Sequence, residues 1–231
     1  MKNKKLVSLA LIGLFFIGGL SQSVTAAESE ATVNFIPAGE DSPAVLDPTT
    51  PETSYTPGPG DPDGVTTGEA GPLTLDFVSN IEFDDHEISA VSEVYNSITL
   101  RPFIQVTDRR GTGGGWTVTA TASSFTTGTT PTPSLQGSTI TLSNASLISN
   151  NTTTAPSTLN DSIVLETDGA TSAIVVEAAQ DEGLGSWITR WFDPAETAAT
   201  ENSNVTLTVP GGVATQGTHT ATITWLLEAA P

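Results

Sequence analysis

Two runs in this sequence alternate apolar and polar residues with a period of two, and each contains a tryptophan. In GTGGGWTVTATASSF (residues 111–125), Trp116, Val118, Ala120 and Ala122 alternate with Thr117, Thr119 and Thr121. In ATITWLLEAAP (residues 221–231), Ala221, Ile223, Trp225 and Leu227 alternate with Thr222, Thr224 and Leu226. Side chains two apart on a strand point to the same side, so each run offers one face carrying a Trp with an aliphatic residue two positions on. Only six residues follow Trp225, so the second strand is expected to be held by partners that precede it.

The same period recurs from Leu73 onward, in LTLDFV, IEF, SITL, PFIQV, WTVTATA, TITL, SIVLE, SAIVVE, SWITRWF, NVTLTV and TATITWLL, with Gly, Thr, Ser and Asn in the connections. No window of a dozen residues carries helical periodicity. The fold class expected is therefore all-β: an antiparallel β-sandwich, Greek-key-like, of roughly ten short strands over residues 71–231. With no cysteine in the chain, apolar burial alone must hold it. NASLISNNTTTAPSTLND (residues 144–161) is the least strand-like piece and is expected to form a long polar loop or insertion.

The first 27 residues set the compartment. Lys2, Lys4 and Lys5 precede an apolar run from Leu6 to Leu20, and small residues at 24–27 offer cleavage after Ala26 or Ala27. This is the layout of a secretory signal peptide, and the run is too short, and too interrupted by Gly18 and Gly19, for a membrane anchor. Residues 28–70 are rich in Pro, Gly, Thr and acids, which points to a disordered, acidic Pro-rich linker, with ATVNFIP (residues 31–37) as a candidate short strand. DPDG (residues 61–64) reads as a turn rather than a calcium loop, since the downstream carboxylate of an EF-hand is missing. No LPxTG-type sorting sequence follows the last strand, so covalent attachment has no visible handle.

Removal of the signal takes all three lysines and no acid. Four cations remain, Arg101, Arg109, Arg110 and Arg190, against 26 acids, a net charge of −22. Nucleic acid and anionic membrane are excluded as partners, because both are bound by cations that neutralise phosphate.

The Gly-rich run leading into Trp116-x-aliphatic, the middle GLGSWITRWF and the final THTATITWLLEAAP together resemble the WxL-domain surface proteins of Gram-positive bacteria. LTLDFVSNIEF and LRPFIQVTDRRGTGGGW are also similar to that family's opening strands. The sequence departs from the pattern where Val118 stands in place of leucine and where His219 stands in place of a more usual tyrosine. The resemblance implies a secreted surface protein attached non-covalently to the cell wall, with peptidoglycan or an associated glycan as the partner and companion surface proteins as further partners. A subunit of a surface complex with a protein-binding face is the alternative, and a polysaccharide-acting enzyme a weaker one.

The candidate binding residues are Trp116, Val118, Trp187, Trp191, Trp225 and Leu227, with Arg109 and Arg110 ahead of the glycines. Exposed tryptophans stack on sugars, but large rings on alternating faces of a sandwich are more often core. The arginines could clamp wall carboxylates or phosphates, or pair with the surplus of acids around them. Trp187 and Trp191 share a face if their strand is regular, and a bulge would separate them. GTGGGW fits no nucleotide-loop template, because neither Lys-Ser/Thr nor a helix follows. The chain has no GxSxG and only His86 and His219 as imidazole bases, so catalysis is not expected. Neither a cofactor nor a metal is expected; DDHE (residues 84–87) reads as a solvated acidic edge, since adjacent strand residues point to opposite faces.

Overall fold

The computed structural model describes residues 29–58, 65–128 and 132–230. The expected signal peptide and the DPDG turn lie outside the described residues. Residues 36–231 form one compact unit. Before it, residues 29–35 carry no strand, and Val33 and Phe35 are exposed, so the candidate strand there does not form.

Sixteen strands are present among the described residues: β1 (Val65–Thr66), β2 (Leu73–Val78), β3 (Glu93–Ser97), β4 (Phe103–Asp108), β5 (Trp116–Ala122), β6 (Phe125–Thr127), β7 (Thr132–Ser134), β8 (Thr139–Leu142), β9 (Ser146–Ile148), β10 (Thr158–Leu159), β11 (Ile163–Glu166), β12 (Ser172–Ala178), β13 (Gly185–Arg190), β14 (Asn202–Val209), β15 (His219–Thr220) and β16 (Ile223–Ala229). They form antiparallel sheets in the orders β1-β2-β4-β13-β9, β10-β12-β5-β16, β11-β8-β14-β3 and β15-β6-β7. The excess over the sequence-based count comes from pieces of two or three residues, β1, β6, β7, β9, β10 and β15, which are too short for a period to register. Two of these, β9 and β10, lie where a long loop is expected. Leu147 and Ile148 pair with Thr189 and Ile188 of β13, and Leu159 pairs with Val176 of β12. Conversely, residues 81–83 (IEF) form no strand, and of SITL (residues 97–100) only Ser97 is in one, the strand there being β3 ahead of it.

The strands stack because their inward residues merge into one core. Leu75, Ile104, Val106 and Trp187 come from the five-stranded sheet, Trp116, Val118, Ala120 and Val176 from the β5 sheet, and Ile140, Leu142, Leu165, Val205 and Leu207 from the β8 sheet. At roughly 25 cal/mol per Å² of apolar surface removed from water, burial on this scale is the main favourable term in a chain without disulfides.

The outer face of the five-stranded sheet is where composition misleads. All six residues of β4 are buried, although Phe-Ile-Gln-Val-Thr-Asp reads as a half-exposed strand. The cover is residues 41–55, part of the segment expected to be a linker. Val45, Leu46 and Tyr55 pack on Phe77, Phe103 and Ile188. The Tyr55 ring meets the rings of Phe77 and Phe103 edge-on, with centroids at 5.3 and 5.0 Å, and those two stack on each other at 4.3 Å. Prolines at 43, 48 and 51 keep this strap extended. Its backbone is served by Gln105, whose Oε1 accepts from the Leu46 amide at 2.7 Å while Nε2 donates to the Ala44 carbonyl at 3.0 Å. A few apolar residues thus dock an otherwise polar segment, because the sheet supplies partners for its amides.

Candidate functional site

The two tryptophan runs meet. β16 pairs with β5 in continuous register, Ala229 opposite Trp116, Leu227 opposite Val118 and Trp225 opposite Ala120. The two Trp-x-aliphatic units therefore lie side by side, running in opposite directions, on the inner face of one sheet.

The glycines set the depth of Trp116, which is 1% exposed. Gly115 has φ +70, and a Cβ there would lie 2.4 Å from the Ala178 carbonyl oxygen. Gly183 has φ +67, and a Cβ there would lie 2.7 Å from the Trp116 indole nitrogen. That nitrogen donates to the Gly183 carbonyl at 3.1 Å. GTGGGW and GLG are two sides of one slot, and bare backbone on both sides lets the indole enter it. Val118 is fully buried, and Leu227 is packed against the same core. Trp225 is partly buried, with its ring 5.7 Å from that of Trp191. Trp187 on β13 and Trp191 just past its end are both buried in this core, whereas Ile188 belongs to the cluster on the other side of the sheet.

The arginines are engaged within the chain. Arg109 donates to the Asp41 carboxylate at 2.7 Å and to the carbonyls of Asp41 and Gly71 at 2.6 and 3.0 Å. This lowers the Asp41 pKa, through the Arg109 hydrogen bond first. Arg110 grips buried Asp108 with Nε at 3.0 Å and Nη2 at 2.7 Å, and also reaches the Gly115 carbonyl at 2.6 Å. Arg101 pairs with Asp47 at 3.3 Å, and Arg190 donates to the Pro48 carbonyl. Arg110 thus fixes the loop before Trp116, while Arg101, Arg109 and Arg190 hold the strap. His86 stacks on Tyr95 with centroids 3.9 Å apart, and His219 bonds Ser134 Oγ and the Thr215 carbonyl, both at 2.8 Å.

With the rings turned inward, what the motif strands offer to solvent is their other face. Thr117, Thr119 and Thr121 of β5 stand in a half-buried row. Across them lie Glu228, Leu226 and Thr224 of β16 on one side and Glu177, Ile174 and Ser172 of β12 on the other. Leu226 is 50% exposed and Ile174 45%. The two acids sit in one row at the end of the face, and the other two rows carry hydroxyls and aliphatic groups. Sequence reasoning passed over these residues because it followed the tryptophans. The signal was the Thr-x-Thr-x-Thr complement of the same alternation.

A family model described as WxL domain surface cell wall-binding matches residues 22–231. No curated protein and no solved structure matches the chain.

Proposed function

Because the chain belongs to the WxL domain surface cell wall-binding family, a family of wall-binding surface domains, we propose that it is a secreted, non-enzymatic protein held non-covalently on the peptidoglycan of a Gram-positive wall. The signal-like N-terminus supports secretion. We place the start of the binding module ahead of the strap, because residues 41–55 complete the outer layer of the five-stranded sheet.

The observation that carries the reading is the composition of the outer face over β12, β5 and β16. In a chain with 26 acids and seven basic residues, two adjacent rows of that face, Thr224–Thr121–Ser172 and Leu226–Thr119–Ile174, carry no charge. A glycan strand presents hydroxyls and C–H faces. Threonine hydroxyls can hydrogen-bond the first, and aliphatic groups can cover the second. In this reading Trp116, Trp187, Trp191 and Trp225 build the platform, with Val118 and Leu227, and do not touch the ligand. Arg109 and Arg110 act in the same supporting way.

The test is sedimentation of the mature protein with washed walls, stripped first of protein and then of teichoic acid. Thr119→Glu with Leu226→Glu should abolish retention on both preparations at an unchanged melting temperature. Val164→Glu, on an exposed residue of β11, should leave it intact. Equal retention of all three proteins would move the binding face elsewhere. Release of reducing ends from wall glycan by the purified protein would make it an enzyme instead.

A further inference from the structure

The free edge of β16 is built to receive a strand. β16 has β5 as its one hydrogen-bonded neighbour among the described strands. The Ser123 amide bonds the Thr222 carbonyl at 2.8 Å and the Ala230 amide bonds the Gly115 carbonyl at 3.2 Å. Hydrogen-bonded pairs alternate along an antiparallel ladder, so the even-numbered residues of β16 turn their backbone groups to β5. Ile223, Trp225, Leu227 and Ala229 then turn theirs to the open side. Proteins blunt such edges with lysine, proline, a bulge or a very short strand. Over seven residues, β16 has no lysine, no proline and no register shift.

We infer that this edge is the interface for a second copy of the chain, with the two β16 strands antiparallel and centred on Leu226. That register pairs 225 with 227 of the partner and 223 with 229, so all four open residues gain ladder partners at once. A centre on an odd residue also pairs odd with odd, but fewer of the four then find partners. The side chains agree with the even centre. Glu228, the one charge on the strand, falls opposite Thr224 of the partner subunit and not opposite another acid. Half-exposed Leu226 meets the partner's Leu226 across the two-fold axis. The result is a continuous eight-stranded sheet, with two threonine faces on one side of it.

One strand pair buries less than the roughly 1,200–2,000 Å² of a stable interface, and both copies are strongly acidic. The dimer is therefore weak, concentration-dependent and strengthened by salt, and tethering on a surface would favour it. Nothing in this argument uses the wall ligand, so it stands or falls independently of wall binding.

The chain has no cysteine, which permits a register test on the mature protein. In a non-hydrogen-bonded antiparallel pair, opposed Cα atoms lie about 4.5 Å apart, within the roughly 4.4–6.8 Å that a disulfide spans. Leu226→Cys should give a covalent dimer under mild oxidation. Thr224→Cys should not, because its own counterpart lies about 14 Å along the partner strand, four residues at about 3.4 Å each. Thr224→Cys with Glu228→Cys should link again. Sedimentation equilibrium should show a monomer–dimer equilibrium for the parent, weakened at least tenfold by Leu226→Lys at an unchanged melting temperature. Equal crosslinking at 224 and 226, or no crosslinking with a monomer at every concentration, overturns the proposal.

Discussion

The indole nitrogen of Trp116 donates to the carbonyl of Gly183 at 3.1 Å across 67 residues of chain, and the glycine's missing Cβ is the space that the ring occupies. Trp116 and a glycine far from it in sequence are thus one packing unit. Gly183→Ala meets two costs, a left-handed φ at about 1–2 kcal/mol and overpacking at about 1–3 kcal/mol. Gly111 also has positive φ, but an added Cβ there meets nothing within 4 Å, so Gly111→Ala should cost only about 1–2 kcal/mol. Urea denaturation of both variants checks this. Equal losses would mean that the slot relaxes and the glycine acts through its backbone angle alone.

The strap prediction concerns one amide. Leu46 N–H is held by Gln105, a fully buried side chain whose Nε2 is also anchored on Asp76 Oδ2 at 2.7 Å. Gln105→Ala removes the acceptor and should free that amide while leaving the main core intact. Hydrogen exchange should show protection at Leu46 falling towards that of an exposed residue, at a stability cost of about 1–3 kcal/mol for the polar groups left unpaired. Unchanged exchange at Leu46 would show that the aromatic contacts of Tyr55 are enough to hold the strap.

Alternation carried most of the fold: β5 and β16 both run where their period places them, with Val118, Ala120 and Ala122 of the first and Ile223, Trp225 and Leu227 of the second inward. What alternation does not report is what covers the second face of a strand. Gln105 looks solvated in sequence and is buried, because a segment more than fifty residues earlier supplies its cover. Its signal was small, a Val-Leu pair and one tyrosine among prolines and acids. The tryptophans invite a binding role because exposed aromatics bind sugars. For Trp116, burial follows from glycines that act in the fold as clearance for its ring.

Asp76 gives the fold a pH dependence of definite sign. Burial pushes its pKa up, against the hydrogen bonds from Thr107, Thr74 and Gln105 that pull it down. The folded value therefore exceeds the unfolded value of about 3.9. Between the two the folded state binds more protons, so this group adds stability as pH falls from neutral through its raised value, and the gain levels off below the unfolded value. Asp41, Asp168 and Glu182 act oppositely. Hydrogen bonds hold their pKa values down, and what they contribute is lost as pH falls through those lowered values. Relief of general repulsion on acidification is common to parent and variant. The difference in melting temperature between the parent and Asp76→Asn, measured from pH 7 down to the unfolded carboxylate value of about 3.9, should therefore isolate Asp76. The parent should gain more than the variant, and parallel curves would refute the assignment.

The sign of the salt effect on wall attachment follows from where the cations point. A Gram-positive wall, the proposed partner, is a polyanion, and the chain carries a formal net charge of −19, which loss of the three lysines of the expected signal peptide would make more negative, so long-range electrostatics oppose their contact. The one local feature that could reverse this is the arginine cluster, and its members are occupied: Arg101 by Asp47, Arg109 by Asp41 and Arg110 by Asp108. Screening acts over about 10 Å at 0.1 M salt and weakens repulsion between distant charges more than it weakens hydroxyl and aliphatic contacts at the threonine face. Moderate NaCl should therefore raise the fraction of protein retained on washed walls, and Arg109→Gln with Arg110→Gln should show the same upward trend. Release of the parent by moderate salt, together with loss of that sensitivity in the double variant, would overturn this reading and place the wall contact on the loop before Trp116.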